Sequence, residues 1–193
     1  FCAFYNLPIP CRDNFDDMSL AEQRYWRQRQ YGAYLAAAGT ISACDGSVKK
    51  AMGAGAVWLE PDGEAHTSVC KVAGPHSSFR AECAAMHLAV TGPAKDSMLT
   101  IFTDSMNVIT ALQAWDQAEF VREMEWQRNS DVVMAILRAI NQHQNPITIV
   151  KVKSHCVVDL NERADILAGA AVGADNEEVE TLFTPPPPDE CFV

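Results

Sequence analysis

Four acidic residues stand where strands and helices would bring them to one spot. Asp45 closes a strand-like segment, TISACD at 40–45, and is followed by Gly46 and Ser47. Asp104 closes another, SMLTIFTD at 97–104, and opens the next helix. Glu82 lies one turn into a helical segment at 77–90, and Asp165 one turn into another at 160–173. In open sheets with helical connections, sites gather at the carboxyl ends of strands. Four carboxylates meeting there would repel and raise one another's pKa. A divalent cation removes that penalty. Oxygen ligands with no His or Cys at ligand spacing suit Mg²⁺ or Mn²⁺. Two such ions about 4 Å apart can activate a water and stabilise a leaving oxygen in phosphodiester displacement. Taken singly, each acid also fits an ordinary place. Asp45 and Asp104 suit a turn or helix cap, and Glu82 and Asp165 suit first-turn acids favoured by the helix dipole.

The elements that would position these acids follow from periodicity. Residues 1–17 mix aromatics, prolines and aspartates without a period and read as a loop. A Ser19–Glu22 capping box opens a helix that stops at Gly39. Strand-like segments follow at 40–45, 53–60 and 65–72, the last two joined by the turn signal PDGE at 61–64. In the helical segment at 77–90, Phe79, Cys83, Met86 and Val90 share one face. A short strand at 97–104, helices at 105–115 and 129–143, a strand at 147–153 and a helix at 160–173 complete the series. This order predicts an α/β fold, a mixed five-stranded sheet flanked by helices.

Composition bounds the partners. The chain has 193 residues, 48% hydrophobic and 21% charged, enough for one cored domain with an appendage. No apolar run reaches the roughly 18 residues of a membrane span, and no charged-then-apolar leader stands at the start. Phe1 in place of Met reads as an internal or processed start. The seven cysteines form no C-x-x-C pair, which favours a reducing, intracellular compartment over a disulfide framework. A net charge of −10 argues against gripping nucleic acid by overall charge. That charge is uneven. Residues 175–193 hold six acids and no base and include four consecutive prolines, which read as an extended, mobile tail. Residues 40–174 carry only −4, which two divalent ions would cancel.

The pieces CDGSVKKAMGAGAVWLE, SSFRAE, IFTDSMNVI and VKSHCVVDLNERADILA stand in that order between residues 40 and 173. Together they resemble the type 1 ribonuclease H domain, most closely that of non-LTR retrotransposon reverse transcriptases. The resemblance implies cleavage of the RNA strand of an RNA–DNA hybrid with two Mg²⁺ ions, Mn²⁺ substituting. It implies that Asp45, Glu82, Asp104 and Asp165 hold the metals. It makes His155 a loop histidine for proton transfer or product release, and Asn161 the asparagine of an N-E-x-A-D signature. Gly46, Ser47, Ser77 and Ser78 become substrate contacts, the two serines equally suited to capping the helix. Residues 1–39 would then be the connection to an upstream polymerase domain, 40–174 the nuclease and 175–193 the tail. Two other readings compete. One is an inactive scaffold of the same fold that binds protein or nucleic acid; the other is a transposase, integrase or Holliday-junction nuclease. Retention of the four acids and His155 disfavours the first, and the helix glutamate with the loop histidine disfavours the second.

Three departures matter. The loop after His155 reads CVVDL where family members carry glycines, Met106 follows TDS where several relatives carry a polar contact, and the segment at 115–128 is net −2 where some relatives are strongly basic. A partner chain or neighbouring domain would then supply substrate affinity. Weak hybrid binding by residues 40–174 at about 150 mM salt is the expected outcome of a filter-binding titration; tight binding would contradict it.

Overall fold

The computed structural model describes residues 2–6, 19–25, 28, 32, 37–117, 129–152, 159–173 and 179–184. Its strands are β1 (Cys2–Asn6), β2 (Thr40–Val48), β3 (Met52–Leu59), β4 (Ala65–Val72), β5 (Leu99–Thr103), β6 (Ile147–Lys151) and β7 (Thr181–Leu182). Its helices are α1 (Ser78–Thr91), α2 (Met106–Gln117), α3 (Ser130–Asn141) and α4 (Asp159–Gly173). Residues 20–25 are also helical. The capping box that opens them is closed: Ser19 Oγ donates to Glu22 Oε2 at 2.7 Å, and the Glu22 N–H donates back to Ser19 Oγ at 3.3 Å.

The strands form one mixed sheet in the order β1-β6-β5-β2-β3-β4-β7. β2, β3 and β4 pair antiparallel, whereas β2–β5, β5–β6, β6–β1 and β4–β7 are parallel. The predicted five strands are the centre of this sheet, and one further strand is added at each edge. Residues 2–6, read from sequence as loop, are β1, in register with β6 from Cys2↔Ile147 to Asn6↔Lys151. The predicted tail is also ordered in part: Thr181 and Leu182 pair with Lys71 and Val72. Both additions satisfy backbone groups that an open sheet edge would leave exposed. Neither carries a periodic apolar pattern, so neither announces itself as a strand.

Strand alternation divides the core. Cys44, Ala54, Ala56, Ile101 and Ile149 face the layer of α1, α2 and α3, and Ala43, Val57, Phe102 and Val150 face α4. Cys44, Cys70 and Cys83 are buried free thiols in the larger layer. The PDGE turn forms as read, with the Glu64 N–H donating to Asp62 Oδ1 at 2.9 Å.

Two close approaches set the height of the helices over the sheet. A Cβ on Gly46 would lie 2.4 Å from the Ala81 carbonyl carbon and the Glu82 nitrogen of α1. A Cβ on Gly55 would lie 2.6 Å from the Ala164 oxygen and 2.8 Å from the Ala168 nitrogen of α4. Backbone meets backbone at both places, so no side chain can yield. Gly55→Val should therefore lift α4 and cost about 1–3 kcal/mol, read as a lower urea midpoint. Gly169→Ala, where nothing lies within 4 Å of the new Cβ, should stabilise by about 0.5–1 kcal/mol, read as a higher midpoint. Equal effects would contradict this account of the packing.

Candidate metal centre

Asp45 and Asp104 are neighbours by register. The parallel ladder of β2 and β5 ends at the pair Cys44↔Thr103, and each aspartate is the next residue along the chain. Asp45 does not close β2, as the sequence suggested. The strand runs on to Val48, because β3 continues the antiparallel ladder and pairs Asp45 with Gly55. Asp104 does not open the helix either. Ser105 stands between it and α2, its carbonyl accepting the Ile109 N–H at 3.4 Å.

Glu82 arrives from above the sheet. It lies on the second turn of α1, whose backbone rests on Gly46. Oxygen atoms of Asp45, Glu82 and Asp104 lie within 4.8 Å of one another. Asp165, on α4 between the Ala164 and Ala168 that meet Gly55, is not one of that trio, yet its charge still raises Asp45. His155 lies outside the described residues.

Burial and mutual repulsion govern the electrostatics. Burial first, then the charges of Asp45 and Asp104, push the Glu82 carboxyl up to about 9. Burial, then Asp104 and Asp165, push Asp45 up to about 7. The Gly46 backbone hydrogen-bonds both carboxylates, and Glu82 hydrogen-bonds Asp45. Glu82 Oε2 is nevertheless buried without a partner. An unpartnered buried acceptor beside two further acids fits a divalent cation, which would satisfy the orphan oxygen and offset the repulsion.

The other predicted residues divide. Ser78 lines an open cleft of about 310 Å³ with Phe79, Glu82, Asp104, Ser105, Met106 and Asn107. Ser77 is the residue before α1, but its hydroxyl makes no capping bond. Ser47 is half-buried in the β2–β3 ladder opposite Gly53. Asn161 is buried on α4, one turn before Asp165, and its Oδ1 has no partner. Sequence reasoning passed over Arg80 and Asn107, and took Phe79 only as part of an apolar helix face. For Arg80 a signal existed: a cation three residues before Cys83 and four before Ala84 shares a helix face with small apolar residues.

The raised carboxyls have a consequence for stability. Unfolded carboxyls titrate near 4, so between about pH 4 and 9 the folded state holds protons that the unfolded state has lost. Stability of the protein in EDTA should fall as pH rises through that window. Asp104→Asn should flatten the fall and raise the melting midpoint near about pH 8, the behaviour of a repulsive site relieved. Thermal melts in EDTA across pH check this; a midpoint independent of pH would contradict it.

The RNase H family model matches residues 38–173. No curated protein matches closely enough to count as a relative. Among solved structures, RNase H1 from the halophilic archaeon Halobacterium salinarum NRC-1 is similar, with a TM-score of 0.52 and 19% identity. That match covers 69% of this chain and 97% of the archaeal one, and it shows the fold. With the family model spanning well over half of its length and three carboxylates gathered at the end of the central strands, the chain belongs to the RNase H family.

Proposed function

We propose that the protein hydrolyses the RNA strand of RNA–DNA hybrids with two Mg²⁺ ions, Mn²⁺ substituting. The observation that carries this reading is the trio of Asp45, Glu82 and Asp104, three separate elements converging within 4.8 Å in an RNase H chain. These residues, with Asp165, would hold the ions. Bound there, the ions supply an activated water and charge stabilisation for the phosphodiester displacement.

The chain's own groups do the remaining work. Glu82 offers the orphan Oε2 as a ligand, and the Gly46 backbone orients Asp45 and Glu82. Ser78 and Asn107 place polar groups in the cleft beside the carboxylates, suited to the sugar edge where the 2′-hydroxyl distinguishes RNA. Ser47, Ser77 and Asn161 are assigned to the same substrate-facing set by the sequence motifs. His155 is assigned to proton transfer at the leaving oxygen or to product release.

The ordered motifs between 40 and 173 support a place in a larger reverse transcriptase-like protein. There residues 1–39 connect to an upstream polymerase domain, 40–174 form the nuclease and 175–193 follow it. That neighbour or a partner chain would supply substrate affinity. Buried free thiols at Cys44, Cys70 and Cys83 support a reducing, intracellular setting. No helix among the described residues is long and apolar enough to cross a membrane.

The test is incubation of a labelled hybrid with Mg²⁺ or Mn²⁺, with double-stranded DNA and single-stranded RNA as controls. Metal-dependent cleavage of the RNA strand is expected, reduced at least about 10³-fold in Asp104→Asn. Equal activity in both proteins would refute the site. No cleavage by the wild type would favour a binding scaffold.

A further inference from the structure

Arg80 is buried, 2% exposed, two residues before Glu82 on α1. Its guanidinium makes a forked pair of hydrogen bonds to Asp131 of α3, at 2.8 and 2.7 Å. Nε donates to the Ala73 carbonyl at 2.5 Å, and Nη1 donates to Asn129 Oδ1 at 3.4 Å. Nη2 also donates to the Phe183 carbonyl at 3.3 Å, and the cation lies 5.8 Å from the centre of the Phe183 ring. Four segments thus converge on one side chain: the end of β4, α1, the start of α3 and the residue after β7.

The cradle holds strained backbone. Asn129 (φ 73°) and Phe183 (φ 60°) are the two non-glycine residues of left-handed conformation among the described residues, and both bind Arg80. Such conformations persist where their surroundings over-determine them, and they cluster at sites that need a fixed geometry. Phe183 is held further by its ring, which meets His87 edge-on at 5.4 Å. The segment before it is tied to β4: the Lys71 N–H donates to the Glu180 carbonyl and the Ala73 N–H to the Leu182 carbonyl, both at 2.9 Å.

This anchorage bears on the carboxylates. The first turn of α1 has no side-chain cap, since Ser77 makes no such bond. Residues two apart on a helix lie about 200° apart around its axis. Arg80 therefore pins the flank of α1 opposite to the one that offers Glu82, while Gly46 supports the helix from the sheet. Metal–ligand distances at a formed site lie within about 0.2 Å of their typical values, so a ligand must be held in place.

We propose that Arg80 is a positioning residue for Glu82, and that residues 179–184, beyond the stretch matched by the family model, are the clasp that completes its cradle. This rests on the reading of Glu82 as a metal ligand.

The test measures Mn²⁺ binding by electron paramagnetic resonance on the full chain without substrate. Arg80→Lys and Phe183→Ala are compared with wild type, alone and combined with Glu82→Gln, with melts confirming that each is folded. Each single variant should weaken Mn²⁺ binding by about tenfold, the usual scale for groups that orient ligands. In the Glu82→Gln background the same changes should shift affinity by less than about twofold, since the group they position is gone. Should Arg80→Lys fail to fold, Phe183→Ala and a chain ending at residue 178 carry the same comparison. Mn²⁺ affinity unchanged despite lower stability, or equal weakening in both backgrounds, would overturn the proposal. Unchanged affinity in Glu82→Gln would sink it together with the ligand reading. Failure to cleave hybrid would instead strike the substrate assignment and leave this comparison standing.

Discussion

Three carboxylates held within 4.8 Å of one another are the constraint around which this fold is arranged. Burial withholds solvation from these carboxyls and like charges beside them repel, so Asp45 and Glu82 keep their protons above the ordinary range. Nothing local favours the arrangement. It is held by the sheet ladder on one side and by helix packing on the other, and a divalent cation would remove much of its cost.

Backbone clearance does most of the holding. β2 and β5 bring Asp45 and Asp104 side by side because their parallel register ends one residue earlier. α1 and α4 approach the sheet so closely that a single Cβ at Gly46 or Gly55 would collide with helix backbone. Side chains adjust to a misfit by changing rotamer, and backbone does not. The Arg80–Asp131 pair extends this rigidity to α3. It holds the Asp131 carboxyl below its ordinary range, chiefly through the hydrogen bonds from Arg80.

Much of the central fold was legible in the chain itself. The capping box at Ser19, the PDGE turn and the five central strands follow from local chemistry and period, and the structure contains them. The acids were legible as well, because strand ends and first helical turns are recognisable places. The edge strands were not. β1 lies in a stretch without alternation, and β7 is two residues long inside an acidic segment, so each exists only through the edge it pairs with.

The sequence alone determined which residue types could hold a cation and in which elements they sit, since period and capping act within a few residues. Tertiary structure decided the rest. It extended β2 past Asp45 and brought three acids within 4.8 Å of one another, a trio without Asp165. It also joined Arg80 to Asp131 and Phe183, 51 and 103 residues away. Contacts at that separation leave no local pattern, because their free energy arises only when distant surfaces are packed together.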